Sequence, residues 1–211
     1  MRFIILCFSL FSSINYSNAQ VVLKSFWQLS CPEKFWVVTH PFVAHKVSVL
    51  TKEAIIAGHE MKKDTLFDGD ESGGQVDAFR HSYWMALLTQ KISQRKAILL
   101  GKAHEKGNFR KFKRRKVDEE SNIPDSISVV MDLFNNDIGV LIGLQNQQSN
   151  RDSLKIFIKT AILQGNMKII SKNTQGFFLD LNGNVIEQKS LLNSWNNPKC
   201  LIPSNSSRNN K

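Results

Sequence analysis

Asp77, Arg80 and His81 fall within one turn of the run Gly73-Gly74-Gln75-Val76-Asp77-Ala78-Phe79-Arg80-His81-Ser82-Tyr83-Trp84-Met85-Ala86-Leu87-Leu88, which is otherwise almost wholly apolar. Read as a helix, it sets Asp77 and His81 one turn apart on one face, with Arg80 and Trp84 as a second such pair beside them. A carboxylate placed one turn from an imidazole orients the ring, so that His81 can take a proton as a general base or bind a metal. A helix apolar nearly all round is a buried helix. Charge buried with it must be paired, hydrogen-bonded or metal-bound.

Two later segments repeat the pattern. Ala97 to Glu105 is an apolar helix that ends in Ala103-His104-Glu105, and Asp125 to Gly143 is another, with Pro124 just before it. In the latter, Asp132, Asn135, Asn136, Gly139 and Gly143 recur at three- and four-residue steps, a stripe of acid, amide and glycine. Glycine inside a helix costs about 1 kcal/mol relative to alanine, so two on one stripe point to close approach of a backbone or a ligand. Carboxylates and imidazoles on facing helices can hold a divalent metal ion that acidifies water, with a further carboxylate as general base. The sequence therefore nominates His81, Asp77 and Glu105 as catalytic, His81, His104 and Asp132 as ligands of a divalent metal, and Arg80, Asn135 and Asn136 as substrate contacts. The competing reading is a buried polar network that fixes helix register. Since an apolar core often serves stability as well, the concentration of these groups on three hydrophobic helices favours function.

Together the run from Gly73 to Trp84, the Ala103-His104-Glu105 triplet and Met131-Asp132-Leu133-Phe134-Asn135-Asn136 with Gly139 resemble a bacterial helical domain of unknown function. That family is found in secreted proteins and as C-terminal modules of polymorphic toxins. The resemblance covers most of the chain from about Pro32 onward. It implies a helical fold and carries over no catalytic role. Three functions follow from residues and resemblance together: a secreted hydrolase acting on an anionic phosphate ester, phospholipid or envelope polymer; a non-catalytic secreted interaction module; and an antibacterial effector-like domain.

The elements that must position these groups are mostly helical. Pro41 opens a helical pattern through Ala44, Val47, Leu50 and Ala54, with His40 and His45 as a weak metal pair at its start. A polar linker, Lys62 to Gly74, contains Asp68-Gly69-Asp70, which lacks the ligand spacing of a calcium loop. Asp152 to Leu163 is amphipathic and ends at Gly165. From Met167 the period becomes alternating, and Asn182-Gly183 signals a hairpin turn. The fold class is mainly α: a single-domain bundle of about five helices over residues 20–202, with a β-hairpin near 167–188 and a disordered polar tail at 203–211.

Residues 1–19 read as a signal peptide, with a positive Arg2, an apolar core and a Ser17-Asn18-Ala19 cleavage site. The expected location is secreted or periplasmic after cleavage near Ala19. No later stretch reaches eighteen continuous apolar residues, so no transmembrane segment is expected in the mature chain. Cleavage would leave Cys31 and Cys200, for which export makes a disulfide the expected state, with two free, buried thiols as the competing reading. The net charge of +10 favours an anionic substrate or surface as partner. Its densest source is Lys106 to Lys116, where Lys113, Arg114 and Arg115 are candidate substrate contacts and Phe109 and Phe112 could stack on bases or enter lipid. No specific nucleic-acid motif accompanies them, and the sequence fixes no oligomeric state.

Overall fold

Helix starts are written into the chain as side-chain caps. A computed structural model describes residues 26–114, 124–192 and 194–206, and in it Ser30 opens α1 (Cys31–Thr39) with a capping box. Its hydroxyl accepts from Glu33 N at 3.4 Å, and the Glu33 carboxylate accepts from Ser30 N at 2.8 Å. Pro41 occupies the first turn of α2 (Pro41–Met61), where a missing N–H costs nothing. The next helix, α3 (Gln75–Ile92), starts at Gly74, which has no side chain to cap with. Asp68 supplies the cap instead, accepting from Gln75 N at 3.1 and 2.9 Å. Asp70 accepts from Ser72 N at 2.9 Å and pairs with Lys172, so the carboxylates of the Asp68-Gly69-Asp70 loop serve the fold.

Ser93, with a positive φ of 103°, turns the chain from α3 into α4 (Gln94–Arg114). Asp125 and Ser128 form a second capping box at α5 (Ser126–Gln145), and Asn150 caps α6 (Arg151–Leu163), which ends before Gly165 at φ +81°. A short α7 (Gln188–Leu191) follows. The protein is mainly α, with five helices of 13 to 21 residues carrying the body. α5 is also long and apolar enough to cross a membrane by length and composition, with mean hydropathy 1.5.

α3 is the axis, because almost none of it can face water. Ala78, Phe79, Tyr83, Leu87 and Leu88 are fully buried, and one continuous core joins them to Trp36 of α1, Val47 and Ala54 of α2, Leu100 of α4, Val140 of α5 and Ile158 of α6. The glycine stripe of α5 lies against this axis. A Cβ on Gly139 would stand 2.2 Å from Ser82 O, and one on Gly143 would stand 2.7 Å from Ala86 O. The two helices touch backbone to backbone, which only glycine permits.

The expected antiparallel strand pair near the C-terminus is present, but its second strand lies beyond residue 188. β1 (Lys168–Ile170) pairs antiparallel with β2 (Leu201–Pro203), in register Lys168 to Pro203 and Ile170 to Leu201. Before α7, the residues between them form the isolated bridges Lys172 to Phe178, around a turn at Gly176 (φ +85°), and Leu179 to Val185, around a turn at Gly183 (φ +80°). The late strand wins because its flanks are also bonded: Ser171 N donates to Cys200 O and Ser204 N to Met167 O, both at 2.9 Å. The expected disorder from Pro203 is thereby corrected for residues 203–206. Ser204 is fully buried, donates to Ile162 O at 2.7 Å and accepts from Gln75 Nε2 at 2.6 Å.

The expected disulfide is also corrected. Cys31 is an exposed free thiol at the start of α1, whereas Cys200 is a buried one whose S–H faces the carbonyls of Leu179 and Asp180 at 3.6 and 3.4 Å. His40 stacks on Trp36 with ring centroids 4.5 Å apart and His45 is exposed, so the two form no metal pair. The signal-peptide reading at residues 1–19 lies outside the described residues, as do Arg115 and positions 207–211.

Candidate functional site

Three helices deliver the site. α3 supplies Asp77, Arg80 and His81, α4 supplies His104 and Glu105, and α5 supplies Asp132 and Asn136. The glycine contacts that bring α5 onto α3 also bring Asp132 to His81, whose Nε2 lies 3.6 Å from Asp132 Oδ1 and 3.6 Å from Asp77 Oδ1. One ligand-capable atom from each of Asp77, His81 and Asp132 falls within 4.8 Å of the others, and all three residues are buried. For ligand bonds of about 2.1 Å, the edge of a tetrahedral site is about 3.4 Å, so the imidazole-to-carboxylate spacing suits a small divalent ion.

Asp77 is fixed from two sides. Gly73 N donates to its Oδ2 at 2.8 Å, and Arg80 Nη2 donates to its Oδ1. The same Arg80 nitrogen lies 3.5 Å from His81 Nε2, and Nη1 donates to Glu71 O at 3.4 Å. Burial pushes the His81 pKa down, with Asp77 opposing and Arg80 adding to the fall, a shift that favours the neutral ring. That is the form a metal ligand or a general base requires. Burial, then the neighbouring Asp77, pushes Asp132 well above the ordinary carboxylate range, and burial, then Asp132, pushes Glu105 up.

Five buried polar atoms here have no hydrogen-bond partner among the described residues: His81 Nδ1, Asp132 Oδ1, Glu105 Oε1 and both ends of the Asn136 carboxamide. Glu105 is anchored through its other oxygen, which accepts from Asn108 Nδ2 at 2.9 Å. Asn136 lies beside Gly101 of α4, where a Cβ would come within 3.3 Å of its Nδ2. Native interiors leave few such atoms unpaired. Three of the residues that carry them, His81, Asp132 and Glu105, are also coupled by charge, Glu105 to each of the other two.

The structure sorts the sequence candidates. Asp77, and not His104, completes the group of three. His104 Nδ1 bonds Glu33 Oε1 at 2.8 Å, and its ring meets Trp84 edge-on at 5.6 Å and lies 6.1 Å from the His81 ring. Burial alone would lower its pKa, but the bond to Glu33 and the charge of Glu105 outweigh burial and raise it. Asn135, nominated as a substrate contact, is taken by the sheet instead: it donates to Lys168 O at 2.8 Å and accepts from Lys168 N at 2.9 Å. Lys113 and Arg114 lie eight and nine residues beyond Glu105, about 12 to 13 Å along α4, outside the group. Lys113 Nζ sits 4.6 Å from the Phe109 ring centroid, and Phe109 and Phe112 pack on Trp195 at 4.7 and 5.0 Å, which removes them as base-stacking or lipid-inserting side chains.

Glu33 is the site neighbour that residue patterning missed. Its capping-box signature, Ser30-x-x-Glu33, is visible in the sequence, but its second oxygen reaches 71 residues along the chain. No curated protein and no solved structure matches the chain. The model of one family matches residues 34–166, a stretch that holds every member of the site except Glu33 and ends before β1; this chain belongs to the family described as a domain of unknown function, DUF6973.

Proposed function

We propose that the protein is a secreted or periplasmic metal-dependent hydrolase of an anionic phosphate ester, phospholipid or envelope polymer. The observation that carries this reading is the cluster of five unpartnered buried polar atoms around three residues spaced to hold one ion. A divalent ion held by Asp77, His81 and Asp132 would act as a Lewis acid and lower the pKa of water. Glu105, with its raised pKa and free Oε1, is the proton donor and acceptor. Asn136 offers one donor and one acceptor to orient the reacting group. Arg80 and His104, whose side chains are 35% and 38% exposed, connect the buried group to solvent. Both carry or favour positive charge, which suits an anionic substrate.

One observation favours a second reading within the same site. Arg80 already brings a cation to Asp77 Oδ1 and lies beside His81 Nε2. Without metal, neutral His81 oriented by Asp77 would serve as the general base. Metal content of the purified protein, together with turnover of phosphodiester and phospholipid substrates before and after chelation, separates the two. Turnover that survives chelation selects the His81 base; no turnover and no metal uptake contradicts both.

A further inference from the structure

Beyond the buried site, the outward face of α2 carries a pattern that neither the core nor the site uses. Phe42, Val49 and Ile56 recur at seven-residue steps, and His45, Lys52 and His59 recur at the same step three positions later, so the six side chains form one stripe on the helix. All six are exposed, Phe42 entirely, Val49 at 51% and Ile56 at 60%. The opposite face of α2 buries Val47, Leu50, Ala54 and Ala57 in the core. Apart from His59, whose Nδ1 lies 2.7 Å from Glu71 Oε1, the stripe is surplus to folding.

The carboxylates around it already have partners: Glu71 lies 2.7 Å from His59 and 2.6 Å from Lys62. Glu53 and Glu60 are turned toward α6, where Arg151 holds the first at 2.7 Å and Lys155 the second at 3.0 Å. Lys46 and Lys52 have no ion pair among the described residues. Val49, Ile56 and Ala57 line an open depression beside α2, together with Lys52, Lys155 and the paired carboxylates Glu53 and Glu60. In the segment before α2, Trp27, with Lys34 Nζ 5.2 Å from its ring centroid, and Phe35 are exposed as well. We propose that this face is a docking surface for an anionic phospholipid bilayer. Protruding aromatic and aliphatic side chains interleaved with unpaired cations suit the boundary between headgroups and acyl chains.

The test is co-flotation with vesicles of phosphatidylcholine alone and of phosphatidylcholine with about one third phosphatidylglycerol, at low and high salt. Binding is expected to the anionic vesicles, about tenfold or more above the neutral ones, with loss at high salt. Phe42→Ser with Ile56→Ser should weaken it by about tenfold or more. Lys46→Glu with Lys52→Glu should weaken it by about fivefold or more for each position. These residues are exposed, so unchanged melting temperatures verify the fold, and every variant shares the N-terminal residues of the wild type. No vesicle binding, equal binding to both lipids, or variants that bind like the wild type would overturn the proposal. So would a dimer abolished by Phe42→Ser in place of vesicle binding. Turnover is not read, so the outcome is independent of the hydrolase assignment.

Discussion

Gly139 of α5 lies so close to α3 that a Cβ there would stand 2.2 Å from the carbonyl oxygen of Ser82. Two turns earlier on α5, Asp132 faces His81, the residue before Ser82 on α3, at 3.6 Å. The small residue and the polar group are parts of one arrangement, since the distance between the helices sets the distance between the two side chains.

Gly139→Ala should therefore lower stability by about 2 kcal/mol or more, overpacking against backbone outweighing the roughly 1 kcal/mol that alanine gains in helix propensity. It should also weaken metal uptake, because α5 must move away from His81. Denaturant unfolding and metal titration check both. A variant as stable as the wild type would show that the contact relaxes without cost.

Adjacent asparagines should behave oppositely. Asn135 makes two hydrogen bonds to the backbone of Lys168, so Asn135→Ala should destabilise by about 2 to 3 kcal/mol, leaving a strand donor and acceptor unpaired. Asn136 has no partner at either end, so Asn136→Ala should cost less than about 1 kcal/mol in the metal-free protein while abolishing turnover. Equal destabilisation by both changes would assign Asn136 to architecture.

The pH dependence of the metal-free protein has a definite sign. Glu105 and Asp132 have folded-state pKa values raised above the ordinary 4.5 and 3.8. Their protonated forms thus stabilise the fold below that range, and the contribution is lost as pH rises through the raised values. Carboxylates lowered by partners, such as Glu33 and Asp64, act in the opposite sense, so the informative quantity is the difference between Glu105→Gln and wild type. In chelator, melting temperatures of the two should coincide near pH 4.5 and diverge toward about pH 8, the variant being the more stable. A difference independent of pH would remove Glu105 from the strained group.

How much of this could be read beforehand follows from how each signal is encoded. The burial of α3 and the pairing of Asp77 with His81 are periodic features of one helix, so spacing exposed them. The glycine stripe announced close approach, although not which helix would approach. The assignment of Asp77 in place of His104, the pairing of His104 with Glu33 and the capture of Asn135 by β1 depend on contacts between distant segments that no local period records. The sheet shows the same limit. The Asn182-Gly183 turn is local and present, but the partner of β1 arrives some thirty residues later because Ser204 and Gln75 secure it from the core side. Cys31 and Cys200 share a sequence, but one faces solvent and the other the carbonyls of Leu179 and Asp180.

The most direct test of the central claim is calorimetric titration of chelator-treated wild type and Asp132→Asn with magnesium, calcium, manganese and zinc ions, with melting temperatures recorded alongside. The arrangement of Asp77, His81 and Asp132 predicts uptake of one ion per wild-type chain, a rise in melting temperature with ion concentration, and loss of both in Asp132→Asn, whose metal-free stability equals or exceeds that of the wild type. Absence of uptake of all four ions by the wild type, with Asp132→Asn strongly destabilised, would contradict the metal site and identify the buried group as structure.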